Sequence, residues 1–469
     1  MKYSLLFTAL LCFLLGTLCL LPSYFLATAD PTTPTEPSIS APPTEAPTEA
    51  PTDTPTEAPT EAPTEAPTEA PTEPPTEPPV VKENTVTLGA TGDILLHTNV
   101  IRSGDKGDGT YDYNYIFKNL AGHISQLDYM VGNMEGTLAG TENGYPYQGY
   151  PQFNAPDAIA EAAKNAGFDM LLTANNHSYD TRSAGFFRTQ QVISQLGMDH
   201  IGTRPTLDTP NYLVKDIGGI RFGMICYTYN TRIADNGSVS LNGIPLTADD
   251  SQLINSFNYK NLDAFYQKLS GEMDAMKNAG AEMIVLYIHW GDEYNTTPNA
   301  IQKKMAQALC DLGVDVIVGG HAHVMQPMEI LTSTVDPAKS TLCLYSLGNS
   351  VSNIVKSTKH PAECEDGMIF TVRFAKYSDG TVIVESADVI PYYVNRYPNE
   401  KQNGYYYPLI PLDLPKEQWK DTYGLTDSWV ARCEASLIRT EAIMKAGLDS
   451  SNAFLAQRQG QLEAALGIQ

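Results

Sequence analysis

Between Asp30 and Pro79 the chain has no aromatic residue and no base, and proline recurs at about every fourth position in Thr-Glu-Ala-Pro repeats. Such a segment has too little apolar surface to build a core, and each proline removes an amide donor that a helix or sheet would use. It is expected to be a stalk. At ~3.1 Å per residue in a polyproline-like state, its reach is on the order of 150 Å. Cysteine is also scarce. Beyond the N-terminal segment only Cys226, Cys310, Cys343, Cys364 and Cys433 remain, an odd number with no C-x-x-C pair, so no disulfide is assigned. Cys226 and Cys343 lie in apolar, strand-like runs and read as small buried hydrophobes.

Bases are few as well: 30 Lys and Arg stand against 54 Asp and Glu, for a formal net charge of −24. The stalk holds 11 of those acids, which leaves −14 on the rest once Lys2 is counted. No cluster of bases is available to displace counterions from phosphates, which excludes nucleic acid as a partner. The acidity reads as a solvated anionic surface.

The longest apolar run is Leu5 to Leu21, inside a stretch from Met1 to Leu26 with one Lys and no acid. It is either a signal-peptide core or a single membrane anchor. Ala27-Thr28-Ala29 before Asp30 fits a small-x-small cleavage site, whereas the length favours an anchor, the reading preferred here. Neither Cys12 nor Cys19 follows the small residues of a lipoprotein signal. The folded part is thus expected on the extracellular face of the cell membrane, or secreted if the segment is cleaved.

Four regions follow: 1–29 leader or anchor, 30–83 stalk, 84–400 one large α/β domain, and 401–469 a C-terminal helical extension. Strands are predicted at 86–90, 129–132, 170–173, 220–227, 283–289, 314–319, 341–347, 368–374 and 382–389. Helices are predicted at 157–166, 183–196, 261–279 and 299–312. The early alternation implies buried strands covered by helices, and the later run of strands suggests a second, more antiparallel sheet. Residues 230–259 are polar and read as an inserted loop. Two further helices are predicted at 428–446 and 452–466.

Five polar segments follow apolar runs: T-G-D ending at Asp93, G-N-M-E ending at Glu135, A-N-N-H-S-Y-D from Ala174, H-W-G-D-E-Y from His289, and G-G-H-A-H ending at His323. Each is placed where a buried strand ends, which is where α/β folds build their sites. Asp93 and Glu135 offer anionic oxygens, His289, His321 and His323 imidazoles, and Asn176 an amide oxygen. Mixed shells of this kind suit Mn, Zn or Fe. His321 and His323 would point the same way if their backbone is extended, and could then serve one ion or two neighbouring ones. Glu293 and Tyr294 are candidates for substrate contact or for supporting the ligands. Tyr392 to Tyr407 reads mainly as packing for the C-terminal helices, with a polymer platform as the rarer use of such aromatics.

In these motifs, together with G-D-I-L-L from Gly92, G-H-A-H-V-M-Q from Gly320 and Y-S-L-G-N from Tyr345, the chain resembles the capsule-synthesis CapA family. That family is associated with poly-γ-glutamate and belongs to the metallophosphatase-like superfamily. The resemblance covers about 85–394 and implies a four-layer αββα sandwich. It also implies that Asp93 and His323 bind one metal, that Glu135 bridges, and that Asn176, His289 and His321 serve a second. His177 would protonate a leaving group with Asp180 orienting it, and Asn349 would contact substrate or support the ligands. This chain departs from the pattern at Leu95, where a His is usual, at Glu135, where an Asp is usual, and at Asn175, where a Gly is usual. The first site is weakened, so one or two divalent ions are expected.

Two function classes follow from the resemblance. One is a metal-dependent hydrolase acting outside the membrane on a phosphoester, or on an amide of an anionic polymer such as poly-γ-glutamate. The other is a non-catalytic subunit that holds or exports that polymer. Membrane subunits of capsule synthesis are the implied partners.

Overall fold

Apolar side chains alternate along the central strands, and both faces are covered. In Met283–His289, the side chains of Met283, Val285 and Tyr287 enter one buried cluster, and those of Ile284, Leu286 and Ile288 enter another. A strand with two buried faces needs a layer on each side. The computed structural model describes residues 79–233, 238–399 and 404–468, and it supplies those layers.

One sheet runs in the order Leu409–Pro411, Val382–Val394, Asp366–Tyr377, Lys82–Ile94, Tyr129–Met134, Met170–Leu172 and Asp199–Ile201, with Asn349–Val351 paired beside the end of Lys82–Ile94. The other runs Ser256–Phe257, Ile220–Tyr229, Met283–His289, Val316–Gly320, Ser340–Leu347 and Met325–Thr332, with Leu213–Ile217 paired to Ile220–Tyr229. Between the sheets pack Leu88, Val131, Phe222, Val285, Leu344 and Phe370. Helices including Ala158–Ala166 and Arg182–Gln195 cover the outer face of the first sheet, and Leu262–Asn278 and Ala300–Leu312 cover that of the second. The architecture is a four-layer αββα sandwich, as the resemblance implied.

Several details differ from the sequence reading. Among the described residues the strands predicted at 341–389 form no separate antiparallel sheet. Asp366–Tyr377 and Val382–Val394 join the first sheet beside its N-terminal strand, and Ser340–Leu347 joins the second. Both sheets are therefore mixed, because chain order does not reveal which sheet a strand enters. The first strand begins at Lys82, two residues before the expected boundary, with Lys82 paired to Glu385 across the sheet. Residues 230–259 are more than a loop. They form a small antiparallel sheet of Arg232–Ile233, Val239–Leu241 and Ile244–Pro245, and Leu241, Ile244 and Ile254 enter the inter-sheet core.

The two predicted C-terminal helices are one, Asp427–Ala465, 39 residues long. Gly447 does not break it, because it sits where the helix crosses Met325–Thr332. A Cβ there would lie 2.2 Å from the Met328 carbonyl oxygen, so only glycine permits the approach. The helix also satisfies the open edge of Val382–Val394: the Asn452 amide donates to the Ala387 carbonyl (2.8 Å) and accepts from its N–H (2.9 Å). Among the described residues no helix is long and apolar enough to cross a membrane. The leader or anchor at 1–29 and the repeats up to residue 78 lie outside the described residues.

Arg439 on this helix grips the fully buried Asp366 with two hydrogen bonds of 2.5 and 2.6 Å. Burial pushes the Asp366 carboxyl up to about 6 against the pull of Arg439. Arg439→Met leaves that carboxylate unpaired, and should cost about 3–5 kcal/mol. Urea unfolding of the full chain checks this, and an unchanged midpoint would show that the pair does not hold the helix.

Candidate metal centre

The five polar segments converge because the strands that precede them are parallel and end at one edge of the sandwich. The register aligns Asp93 with Asn133 on the neighbouring strand and with Asn349 on the other side. Gly92 is the extra residue of a bulge just before Asp93, and bulges of this kind re-aim the side chain that follows. A Cβ on Gly92 would lie 1.9 Å from the Gly348 carbonyl oxygen, so no other residue fits.

Two overlapping groups result. Glu135, His289 and His321 bring one donor atom each within 4.8 Å of one another, and Asp93, Glu135 and His323 do the same. Glu135 belongs to both. Its Oε1 is 3.5 Å from His289 Nε2 and its Oε2 is 3.8 Å from His323 Nδ1, which in turn lies 3.2 Å from Asp93 Oδ2. Asn176 Oδ1 is 2.8 Å from His289 Nε2, and His321 Nδ1 is 3.2 Å from the same nitrogen.

The carboxylates carry the fit to a cation. Asp93 and Glu135 are fully buried, and among the described residues no group donates a hydrogen bond to Asp93 Oδ2 or to either Glu135 oxygen. Burying unsatisfied anionic oxygens costs several kcal/mol each unless a positive partner meets them. Oxygens so placed, ringed by imidazole nitrogens, suit a divalent metal.

The pairings shift the titrations. Burial acts to raise the Asp93 carboxyl, but His323, His289 and Asn133 outweigh it and hold it below the usual value. Burial opposes charge on His323, while Glu135 and Asp93 together raise it. On His321, burial and the neighbouring imidazoles act together and lower it well below the usual value.

The condition placed on His321 and His323 is not met. Their backbones are not extended but have φ of +92° and +55°, conformations costly for a non-glycine residue and common at functional sites. The Tyr294 N–H holds the turn by donating to the Ala322 carbonyl (2.7 Å). The turn sends His321 towards His289 and His323 towards Asp93, so the two rings divide between the two groups. At the position where the superfamily has a histidine, Leu95 is buried in an apolar plug with Phe153, Ala322 and Val324. His97 does not replace it: its Nδ1 accepts from the Asn353 N–H (3.3 Å), its ring packs edge-on to Phe153, and burial lowers it to about 4.

His177 and Asp180 form a buried pair, Nδ1 to Oδ2 at 2.7 Å, and the same carboxylate oxygen accepts from the Phe153 N–H (2.6 Å). Burial opposes charge on His177, but Asp180 and Glu135 raise it. Of the remaining candidates, Asn349 touches His323 (Oδ1 to Nδ1, 3.0 Å) and donates to its carbonyl, and Tyr294 stacks on the same ring at 6.0 Å. Glu293 is exposed at the rim.

Five contacts were not anticipated. Asn133 donates to Asp93 Oδ1 (2.7 Å), and the Asn175 amide donates to Asn133 Oδ1 (3.1 Å) and to the Met134 carbonyl (2.8 Å), which gives the asparagine at 175 a role no glycine has. Asn133 lies two residues before Glu135, and that spacing was the available signal. The Tyr229 hydroxyl lies 3.2 Å from His321 Nε2. Asn242, from the insertion, places its amide 3.3 Å from His177 Nδ1. The Asn-Gly pair at 242–243 marks a turn but says nothing of where the turn docks.

Comparison with known proteins gives the chain's relatives. The capsule biosynthesis protein CapA of Bacillus anthracis is 27% identical over 270 residues, 57% of this chain and 59% of that protein. The PGA biosynthesis protein CapA of Bacillus subtilis is 26% identical over 240 residues, 50% and 56% of the two chains. The chain thus spans under two thirds of the length of the curated relatives it matches. The sulfate thiohydrolase SoxB of Thermus thermophilus, solved with glycerol, covers 65% of this chain and 56% of its own at 12% identity and a TM-score of 0.35. The family described as bacterial capsule synthesis protein PGA_cap matches residues 87–354, a span that holds every residue of both triads and more than half of the chain, and this chain belongs to that family.

Proposed function

We propose that the chain acts in the synthesis or export of an anionic capsule polymer, poly-γ-glutamate, outside the cytoplasm, through a metal-dependent hydrolase-like centre. The observation that carries the catalytic part is the sharing of the buried, hydrogen-bond-free Glu135 carboxylate between two ligand triads. The names of the Bacillus relatives support the polymer, and the apolar N-terminal run supports the location and the membrane subunits of capsule synthesis as partners. Asp93, Glu135 and His323 would hold one divalent ion, and Glu135, Asn176, His289 and His321 the other, with Mn, Zn or Fe suited to these donors.

Such ions polarise a scissile phosphoryl or carbonyl oxygen and bring water towards ionisation at neutral pH. The protein supplies the proton. Asp180 occupies Nδ1 of His177 and favours its charged form, so Nε2 carries the proton that a leaving group takes. The Phe153 N–H fixes Asp180, and the Phe153 ring packs edge-on against His177 at 4.7 Å, which limits the orientations of the imidazole. Leu95 favours a second reading, a polymer-holding subunit, because it leaves the Asp93 group with three protein ligands.

Elemental analysis of the full chain after reconstitution with Mn, Zn or Fe should find two ions. Because Glu135 is shared, Glu135→Ala should lose both, whereas His321→Ala and Asp93→Ala should each retain one. A single ion in the unaltered chain would remove the two-metal reading. Turnover of a generic phosphodiester or of poly-γ-glutamate with Mn tests the chemistry. His177→Ala should reduce it by about 10²-fold or more with metal content unchanged, and equal turnover would rule out the acid role.

A further inference from the structure

One cavity of this acidic protein has the opposite charge. It measures about 640 Å³ and lies where the segment 355–365, the strand end at Tyr393–Arg396 and the N-terminal turns of Asp427–Ala465 meet. All its lining residues lie beyond 354, outside the family-matched span.

Four bases line it, Lys356, Arg396, Arg432 and Arg439, against one acid, Glu365. Arg439 is committed to Asp366. Glu365 is committed too: Oε1 accepts from the Lys356 backbone N–H (2.8 Å) and Oε2 from the Tyr393 hydroxyl (2.9 Å). Among the described residues no carboxylate pairs with the side chains of Lys356, Arg396 or Arg432. Two of them are instead held by rings, Arg396 at 3.9 Å over Tyr405 and Arg432 at 4.6 Å over Trp429. Arg432 also shares a side-chain hydrogen bond with Tyr393, and a guanidinium held against a ring retains further donors that can meet a carboxylate.

The cavity adjoins the metal centre through a shared wall. Asn349, which touches His323, donates to the Cys364 carbonyl (3.1 Å), one residue before Glu365. In the same segment the His360 ring lies 4.8 Å from Tyr294, which stacks on His323.

We propose that this cavity is a binding subsite for a carboxylate-bearing polymer, with Arg396 and Arg432 as two-pronged clamps and Lys356 as a third point of charge. The polymer's identity rests on the function proposed above, while the chemistry of the subsite rests on the cavity itself. It holds a strand of polymer beside the centre and does not depend on metal.

The chain offers its own reporter. Of three tryptophans, Trp290 and Trp419 are buried and do not line the cavity, and Trp429 lines it half-buried. The full chain in chelator is titrated with a short γ-linked glutamate oligomer, with its α-amide, a γ-linked isoglutamine oligomer, as the neutral control and polyphosphate of matched charge as the rival. The glutamate oligomer should change the tryptophan emission, and its affinity should fall as salt rises. Arg396→Gln with Arg432→Gln should weaken it about tenfold or more with the far-ultraviolet circular dichroism unchanged, and Lys356→Gln alone should weaken it less. Unaltered affinity in the double variant, equal binding of the isoglutamine oligomer, or tighter binding of polyphosphate would overturn the proposal. Binding in chelator without turnover in Mn would sustain the subsite and count against the hydrolase reading alone.

Discussion

The register of three neighbouring strand ends is the constraint on which the centre depends. Lys82–Ile94 is paired in parallel with Tyr129–Met134 on one side and with Asn349–Val351 on the other. The bulge at Gly92 brings Asp93 level with both Asn133 and Asn349. Those two asparagines then hold the ligands in place, Asn133 through Asp93 and Asn349 through His323. A one-residue slip would turn these side chains to the opposite face. The surrounding sandwich, with both faces of its central strands buried, offsets the cost of keeping two carboxylates dry.

The convergence of the candidate ligands was legible in sequence because each lies just after an apolar run, and a strand end in an α/β fold has few places to go. The layers were legible for the same reason. What lay beyond sequence was any feature set by pairing across distance. Whether Asp366–Tyr377 joins the first sheet or a sheet of its own depends on Lys82–Ile94, some 280 residues earlier. The three-residue strand Asp199–Ile201 is too short for its alternation to announce it. Asn242 reaches His177 only because the small sheet around it packs Leu241 and Ile244 into the core. Gly447 looks like a helix breaker until the Met328 carbonyl is placed against it.

Charge shows the same limit. A formal net charge of −24 describes how the chain is seen from beyond a Debye length, and from there an anionic polymer is repelled. Lys356, Arg396 and Arg432 are separated by 76 positions end to end, so no run of bases announces them. The fold gathers them, and the rings of Tyr405 and Trp429 orient two of the three. Repulsion at long range with capture at short range favours a ligand delivered along a path over one collected from solution. The aromatic stretch that reads as packing does pack, through Tyr392, Tyr393 and Tyr407, and it also shapes the cavity.

The strand that carries Asp93, one residue before its end at Ile94, is also the strand by which the chain enters the sandwich at Lys82. It lies inside its sheet, bonded to Asp366–Tyr377 along most of its length and to Tyr129–Met134 and Asn349–Val351 near its end. Any tension entering from the N-terminal side therefore runs along the strand axis and loads these hydrogen bonds together in shear, instead of peeling them open one at a time. The element that positions the first candidate ligand is thereby also one built to carry mechanical load.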